Sequence, residues 1–129
     1  MTLRVMLVVP EGQVWAGNAD RVIAKTLDGD IGVLTGHTPV LGILAPGSVV
    51  RILPEGTATS GWVQAAVGGG FLSVADDQVS ILAREAVLGA DVDKPAARAG
   101  LDEARGAGAD QEDQASYYAA QLRAAGEEA

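Results

Sequence analysis

Residues 29–47, GDIGVLTGHTPVLGILAPG, set two short apolar runs on either side of a tight polar link. Ile31, Val33 and Leu34 form the first run, and Val40, Leu41, Ile43 and Leu44 the second. Each is four or five residues long and rich enough in β-branched and aliphatic side chains to form a strand. Between them lies Thr35-Gly36-His37-Thr38-Pro39. Gly36 admits a positive φ, and Pro39 fixes its own φ and biases Thr38 towards extended geometry, so the link is sharp and reproducible. The chain's only histidine sits on that tip. A single histidine in a turn is ordinarily a polar loop residue. Metal binding would require several converging ligands, and nucleophilic catalysis a partnered Ser or Cys. Cysteine is absent and there is no second histidine.

Working outward, short β-rich runs recur between turn signals. Leu3 to Val9 ends at Pro10-Glu11-Gly12. Val14-Trp15-Ala16 precedes Gly17-Asn18, and Arg21 to Thr26 leads into the Asp28-Gly29 turn. Ser48 to Leu53 is followed by Pro54-Glu55-Gly56, and Trp62 to Val67 by Gly68-Gly69-Gly70. Phe71 to Ala75 then turns at Asp76-Asp77 into Val79 to Ala83. Strands this short and regular predict an antiparallel β-sandwich or barrel of about eight to ten strands. The triple glycine lacks the following helix of a phosphate loop and reads as a bulge or a close backbone approach. Asp28, Asp30, Asp76 and Asp77 lack the spaced ligand ladder of a calcium loop and read as solvated turns. Trp15 and Trp62, each alone in an apolar strand, read as packing residues.

Composition changes near residue 85. From Asp91 to Ala129 there are nine acidic and four basic residues, with abundant Ala and no β-branched residue but Val92 until the chain's end. This favours helix. Asp93 can cap a first helix that carries Pro95 in its opening turn and Ala97, Leu101 and Ala104 on one face. After Gly106-Ala107-Gly108, Asp110 can cap a second, with Ala115, Tyr118, Ala119 and Leu122 as its stripe and Gly126 as its stop. The expected division is therefore a β-sandwich at 1–86 and an α-helical hairpin at 87–129. Stripes built mostly of Ala bury little apolar area, and Gly100 inside the first helix costs about 1 kcal/mol relative to Ala, so weak docking of the hairpin is expected.

At 129 residues, the chain is long enough for a real core, and 48% hydrophobic residues with only 4% aromatics make that core aliphatic. A net charge of −8 disfavours binding to nucleic acid or to anionic lipid. No run of 18 apolar residues occurs, so direct membrane insertion is not expected.

These residues resemble the epsilon subunit family of bacterial F-type ATP synthases. The resemblance rests on Val14-Trp15-Ala16-Gly17, on Gly29-Asp30-Ile31-Gly32-Val33-Leu34 with Gly36-His37 and Pro39, and on Gly69-Gly70-Phe71-Leu72-Ser73-Val74. Val79-Ser80-Ile81-Leu82-Ala83 followed by Asp91-Val92-Asp93 completes it. It implies a ten-stranded β-sandwich with a C-terminal two-helix hairpin, bound to the gamma subunit of the central stalk and resting on the rotor ring. It also implies a subunit with no catalysis of its own, peripheral at the cytoplasmic face of the bacterial membrane, with Asp30 and His37 as rotor-ring contacts. Some family members bind ATP through an Ile/Leu-Asp-x-x-Arg-Ala motif. Here Val92-Asp93-Lys94-Pro95-Ala96-Ala97 puts Ala96 where the arginine would stand, so no ATP and no other cofactor is expected. Leu101-Asp102-Glu103-Ala104-Arg105 is out of register with that motif. In some members the extended hairpin contacts the catalytic head and inhibits hydrolysis. Arg98, Arg105 and Arg123 are the candidates for such a contact, which the surrounding acids would oppose. The alternatives are a small β-barrel enzyme, which the dearth of catalytic side chains opposes, and a free-standing small-ligand or nucleotide-sensing module.

Overall fold

The computed structural model describes residues 2–57, 61–106 and 112–126. Among them nine strands run in the order β1 (Leu3–Val9), β2 (Gly12–Thr26), β3 (Gly29–Val33), β4 (Val40–Leu44), β5 (Ser48–Pro54), β6 (Val63–Val67), β7 (Gly70–Ala75), β8 (Gln78–Ala83) and β9 (Ala86–Leu88). One 3₁₀ turn, Gly89–Asp91, leads to helices α1 (Lys94–Gly106) and α2 (Glu112–Ala124). Hydrogen bonding orders the strands β1-β8-β7-β4-β2-β5-β6-β9, with β3 beside β2 and a further pairing of β1 with β2.

β2 links the two layers of the sandwich. Its first half pairs with β1, from Gly12 against Val9 to Ala19 against Leu3. Its second half pairs with β5, Val22 against Ile52, and with β3, Val22 against Val33. A register shift between Ala19 and Arg21 marks where it passes from one layer to the other. Such a bulge bends a strand and increases its local twist. The sequence runs Val14–Ala16 and Arg21–Thr26 are thus one strand of 15 residues, and Gly17-Asn18 does not interrupt it. Together with the three-residue β9, which its shortness hides in the sequence, this brings the count to nine. The expectation of an antiparallel sandwich needs one correction: β1 and β8 pair in parallel, Val5 against Val79 and Leu7 against Ile81. β1 has given one edge to β2, and β8, antiparallel to its hairpin partner β7, takes the other.

Alternation fills the interior. Leu3, Val5, Leu7, Val22, Val50, Ile52, Leu72 and Ile81 are all fully buried in one cluster. At about 1.5–3 kcal/mol for each such side chain, this cluster is the main stabilising term. The buried hydroxyl of Ser48 donates to Ala45 O at 2.7 Å. The triple glycine is a close backbone approach, as expected: a Cβ on Gly70 would overlap Leu82 O.

The hairpin covers the outer side of β5 and β6. Asp93 caps α1, its Oδ1 accepting from Ala96 N at 3.1 Å and its carbonyl from Ala97 N at 2.9 Å. Ala97, Leu101 and Ala104 are buried, as their spacing predicts. The expected Asp110 cap lies outside the described residues. α2 differs from its expected single stripe. Ala115, Tyr118, Ala119 and Leu122 do pack with Ala97 and Leu101 of α1. Tyr117, Ala120 and Ala124 form a second face against Val49, Ala66 and Val87 of the sheet. α2 lies between α1 and the strands, so two sides of it must be apolar.

Close approach also seats the hairpin. Gly47, at φ +62°, lies so near Ser116 that any Cβ would overlap the helix backbone, and a Cβ on Gly89 would overlap Ala124 O. A Cβ on Gly100 would lie 2.5 Å from Tyr118 Cζ, so this glycine, unfavourable for helix propensity, makes room for the ring.

Two expected outcomes follow from this seam. Gly89→Ala forces the end of α2 off the sheet without demanding an unusual φ. It should lower stability by about 1–3 kcal/mol in denaturant unfolding, with faster tryptic cleavage after Arg98 and Arg105. Burial, with Glu85 and Tyr118 as weaker causes, pushes the Tyr117 phenol up to about 12. The folded state thus holds this proton more tightly than the unfolded chain does. Its contribution to stability is complete below pH 10 and lost as pH rises from 10 to about 12. Tyr117→Phe should remove that part of the alkaline loss in a pH series of denaturant midpoints.

Candidate interaction surfaces

The two outer faces of the sandwich are treated differently. Over β5 and β6 the hairpin buries Ala66 completely. Over β4, β7, β8 and β1 the outward face is mixed, and its large exposed apolar side chains stand beside Arg4, Ser73, Ser80 and Gln78. Ile43 stands opposite Phe71, Phe71 opposite Leu82, and Leu82 opposite Val8, giving a transverse row across all four strands. Ile43 is 53% exposed, Phe71 52% and Leu82 50%. A neighbouring row runs Leu41, Ser73, Ser80, Met6, with Leu41 73% exposed. Beside Ile43, a groove of about 330 Å³ is lined by Leu27, Pro46, Phe71 and Arg84 among others. Isolated exposed apolar residues are ordinary, whereas contiguous ones mark interaction sites. The sequence carried a signal for this face: in Val40-Leu41-Gly42-Ile43-Leu44 both alternations are apolar, the pattern of a strand covered on both sides.

The sequence-derived candidates lie elsewhere. His37, half-buried on the β3–β4 loop, makes a 2.7 Å hydrogen bond from Nδ1 to Thr38 O. A carbonyl can only accept, so Nδ1 carries the proton in this contact. His37 N donates to Leu34 O at 3.2 Å, closing the turn, and Gly36 N donates to Asp77 Oδ1 at 2.7 Å. Asp30 is exposed near the other end of β3, opposite Lys25. At the ordinary strand rise, Asp30 and Leu34 are about 13 Å apart, so the structure spaces Asp30 and His37 along one edge without pairing them. Asp30 shares a cleft of about 440 Å³ with Lys25, Arg51, Gly47 and Arg123.

The three hairpin arginines separate. Arg98 and Arg105 are exposed on α1, seven residues apart and hence on the same side of it. Arg123 belongs to the seam, where Nη2 donates to Gly47 O at 3.2 Å. At the motif position, exposed Ala96 contributes only its backbone N–H, to the Asp93 cap. The guanidinium of Arg51 lies 4.6 Å from the centroid of Trp62, and Trp15 is partly buried against the core. Among the described residues no group of three or more His, Cys, Asp or Glu could hold a metal ion, and no helix is long and apolar enough to cross a membrane.

Residues 2–89 match the family described as ATP synthase, Delta/Epsilon chain, beta-sandwich domain. The ATP synthase epsilon chain of Thermobifida fusca is 56% identical over 103 residues, which cover 79% of this chain and 74% of that relative. The epsilon chain of Frankia casuarinae is 53% identical over 88 residues, covering 68% of this chain and 99% of that relative. Among solved structures, a chain in the cryo-EM structure of Euglena gracilis mitochondrial ATP synthase, OSCP/F1/c-ring in rotational state 1, superposes with a TM-score of 0.74 at 25% identity. That superposition covers 96% of this chain and 81% of the other. A β-sandwich with exposed apolar side chains on one outer face, a C-terminal helical hairpin on the other, and relatives of this similarity over most of its length together make the chain a member of the ATP synthase epsilon-chain family.

Proposed function

We propose that this chain is a non-catalytic subunit of the central stalk of an F-type ATP synthase. It is held on a gamma-like partner by the row of exposed Ile43, Phe71 and Leu82 with the partly buried Val8, and it turns Asp30 and His37 towards the rotor ring. The observation that carries the reading is that row: four apolar side chains in register across four strands, on a protein whose family assembles into a larger machine. The Euglena neighbour comes from an assembly whose title names F1 and the c-ring. One histidine and no cysteine support a subunit without chemistry of its own. Placement at the cytoplasmic face of the membrane, peripheral through the complex, follows from the same reading.

The sandwich, which β9 carries past the expected boundary at 86 to Leu88, is proposed as the coupling part and the helical hairpin that follows it as a regulatory addition that meets the catalytic head transiently through Arg98 and Arg105. The Frankia relative supports that division, because an 88-residue alignment accounts for 99% of it. Arg123 is already engaged on Gly47 and contributes to docking in the folded-back state.

Phe71→Glu and Leu82→Glu alter side chains that are already about half exposed, so the isolated chain should keep its fold by circular dichroism. Each should weaken co-purification with the gamma-like partner about tenfold or more. Association at the parental level in both variants would overturn the assignment of this face. Removing residues 89–129, which spares β9, should leave ATP hydrolysis by the assembled enzyme within about twofold of the intact complex. A several-fold rise would show strong inhibition by the hairpin.

A further inference from the structure

The geometry points to Asp77 as a positioning residue that holds the His37 loop in its working orientation. Asp77 lies in the β7–β8 turn, 41 residues along the chain from Gly36, and its Oδ1 accepts the Gly36 N–H at 2.7 Å. Its own carbonyl accepts Arg4 N at 2.8 Å, so one residue joins the start of β1, the β7–β8 turn and the β3–β4 loop. The remaining hydrogen bonds described for the loop are internal, from His37 N to Leu34 O and from His37 Nδ1 to Thr38 O. These shape the loop but do not fix it against the sandwich.

The backbone makes this arrangement informative. Asp76 and Asp77 both lie in the left-handed region, at φ +53° and +60°. A two-residue hairpin turn with both central residues at positive φ is satisfied best by Asn-Gly or Asp-Gly. An aspartate at the second position adds conformational cost that glycine would relieve. What it would not supply is the carboxylate, and the carboxylate is the atom group that reaches the loop. A backbone held in a costly conformation by its surroundings is a pointer to function. An ionised acceptor at 2.7 Å is also stronger than a neutral one. Gly36, at φ +79°, in turn gives the loop the shape that brings its N–H to Asp77.

The inference rests on the reading of the His37 loop as a rotor contact, and the experiment separates the two. Asp77→Gly keeps the turn and deletes the clip. Asp77→Asn keeps an acceptor oxygen and tolerates the same φ. In the full-length chain, Asp77→Gly should raise hydrogen exchange at the Gly36 amide about tenfold or more, with an unchanged or higher thermal midpoint. In the reconstituted synthase it should at least halve proton pumping per ATP hydrolysed, and Asp77→Asn should restore both readouts. Unchanged Gly36 exchange in Asp77→Gly overturns the clip. So does unchanged pumping in that variant when replacement of residues 35–39 by a Gly-Ser linker does lower pumping. If the linker itself leaves pumping intact, the rotor-contact reading fails, and Gly36 exchange alone then upholds or overturns Asp77 as the residue that fixes the loop.

Discussion

The fold depends on the sharing of one strand between two layers. β2 hydrogen-bonds to β1 along its first half and to β3 and β5 along its second, and touches β4 at Thr26 opposite Leu44. A strand committed to both sheets fixes their separation and relative angle, and through them the interior volume that Leu, Ile and Val must fill. The register shift at Asp20 is what allows the same backbone to serve both. The Asp20 carboxylate also accepts Gly56 N, while Asn18 O accepts Glu55 N, so the bend is fastened to the turn after β5.

With the interior satisfied, the outer faces differ by what covers them. The face over β5 and β6 presents Ala66 and Val49 and receives a helix that meets it with Ala120, Ala124 and the ring of Tyr117. Small residues permit the close backbone approaches at Gly47 and Gly89. The face over β4, β7 and β8 presents Leu41, Ile43, Phe71 and Leu82, large side chains that favour a broad partner surface over an intimate helix. One sandwich thus carries its own cover on one side and exposed apolar side chains on the other.

Much of this was legible in the sequence because it depends on local periodicity and turn chemistry. The runs around residues 29–47, the Asp76-Asp77 turn, the Asp93 cap and the α1 stripe all appear where their residues predict, whereas the expected Asp28-Gly29 turn falls one residue earlier, on Leu27-Asp28, with Gly29 already paired to Thr26 in β3. What was hidden depends on pairing over long distances. Nothing local says that Gly17-Asn18 continues a strand, since its strandedness is imposed by β1 alongside. The second face of α2 was obscured because alanine is compatible with both burial and exposure. Gly100 read as a cost in isolation; only Tyr118, on the other helix, shows what it accommodates. Among the site candidates, His37 was visible as the lone imidazole on a rigid tip. Asp77 was not, because its partner Gly36 is distant in sequence.

The parallel β1–β8 ladder bears on how the molecule is made. Arg4 pairs with Gln78 and Val8 with Leu82, so during synthesis the first strand emerges with one edge unsatisfied and stays so until the eighth has left the ribosome. Contacts of such long range are associated with slow folding. A nascent chain that stalls before β8 would present an aliphatic strand edge open to pairing with a neighbour.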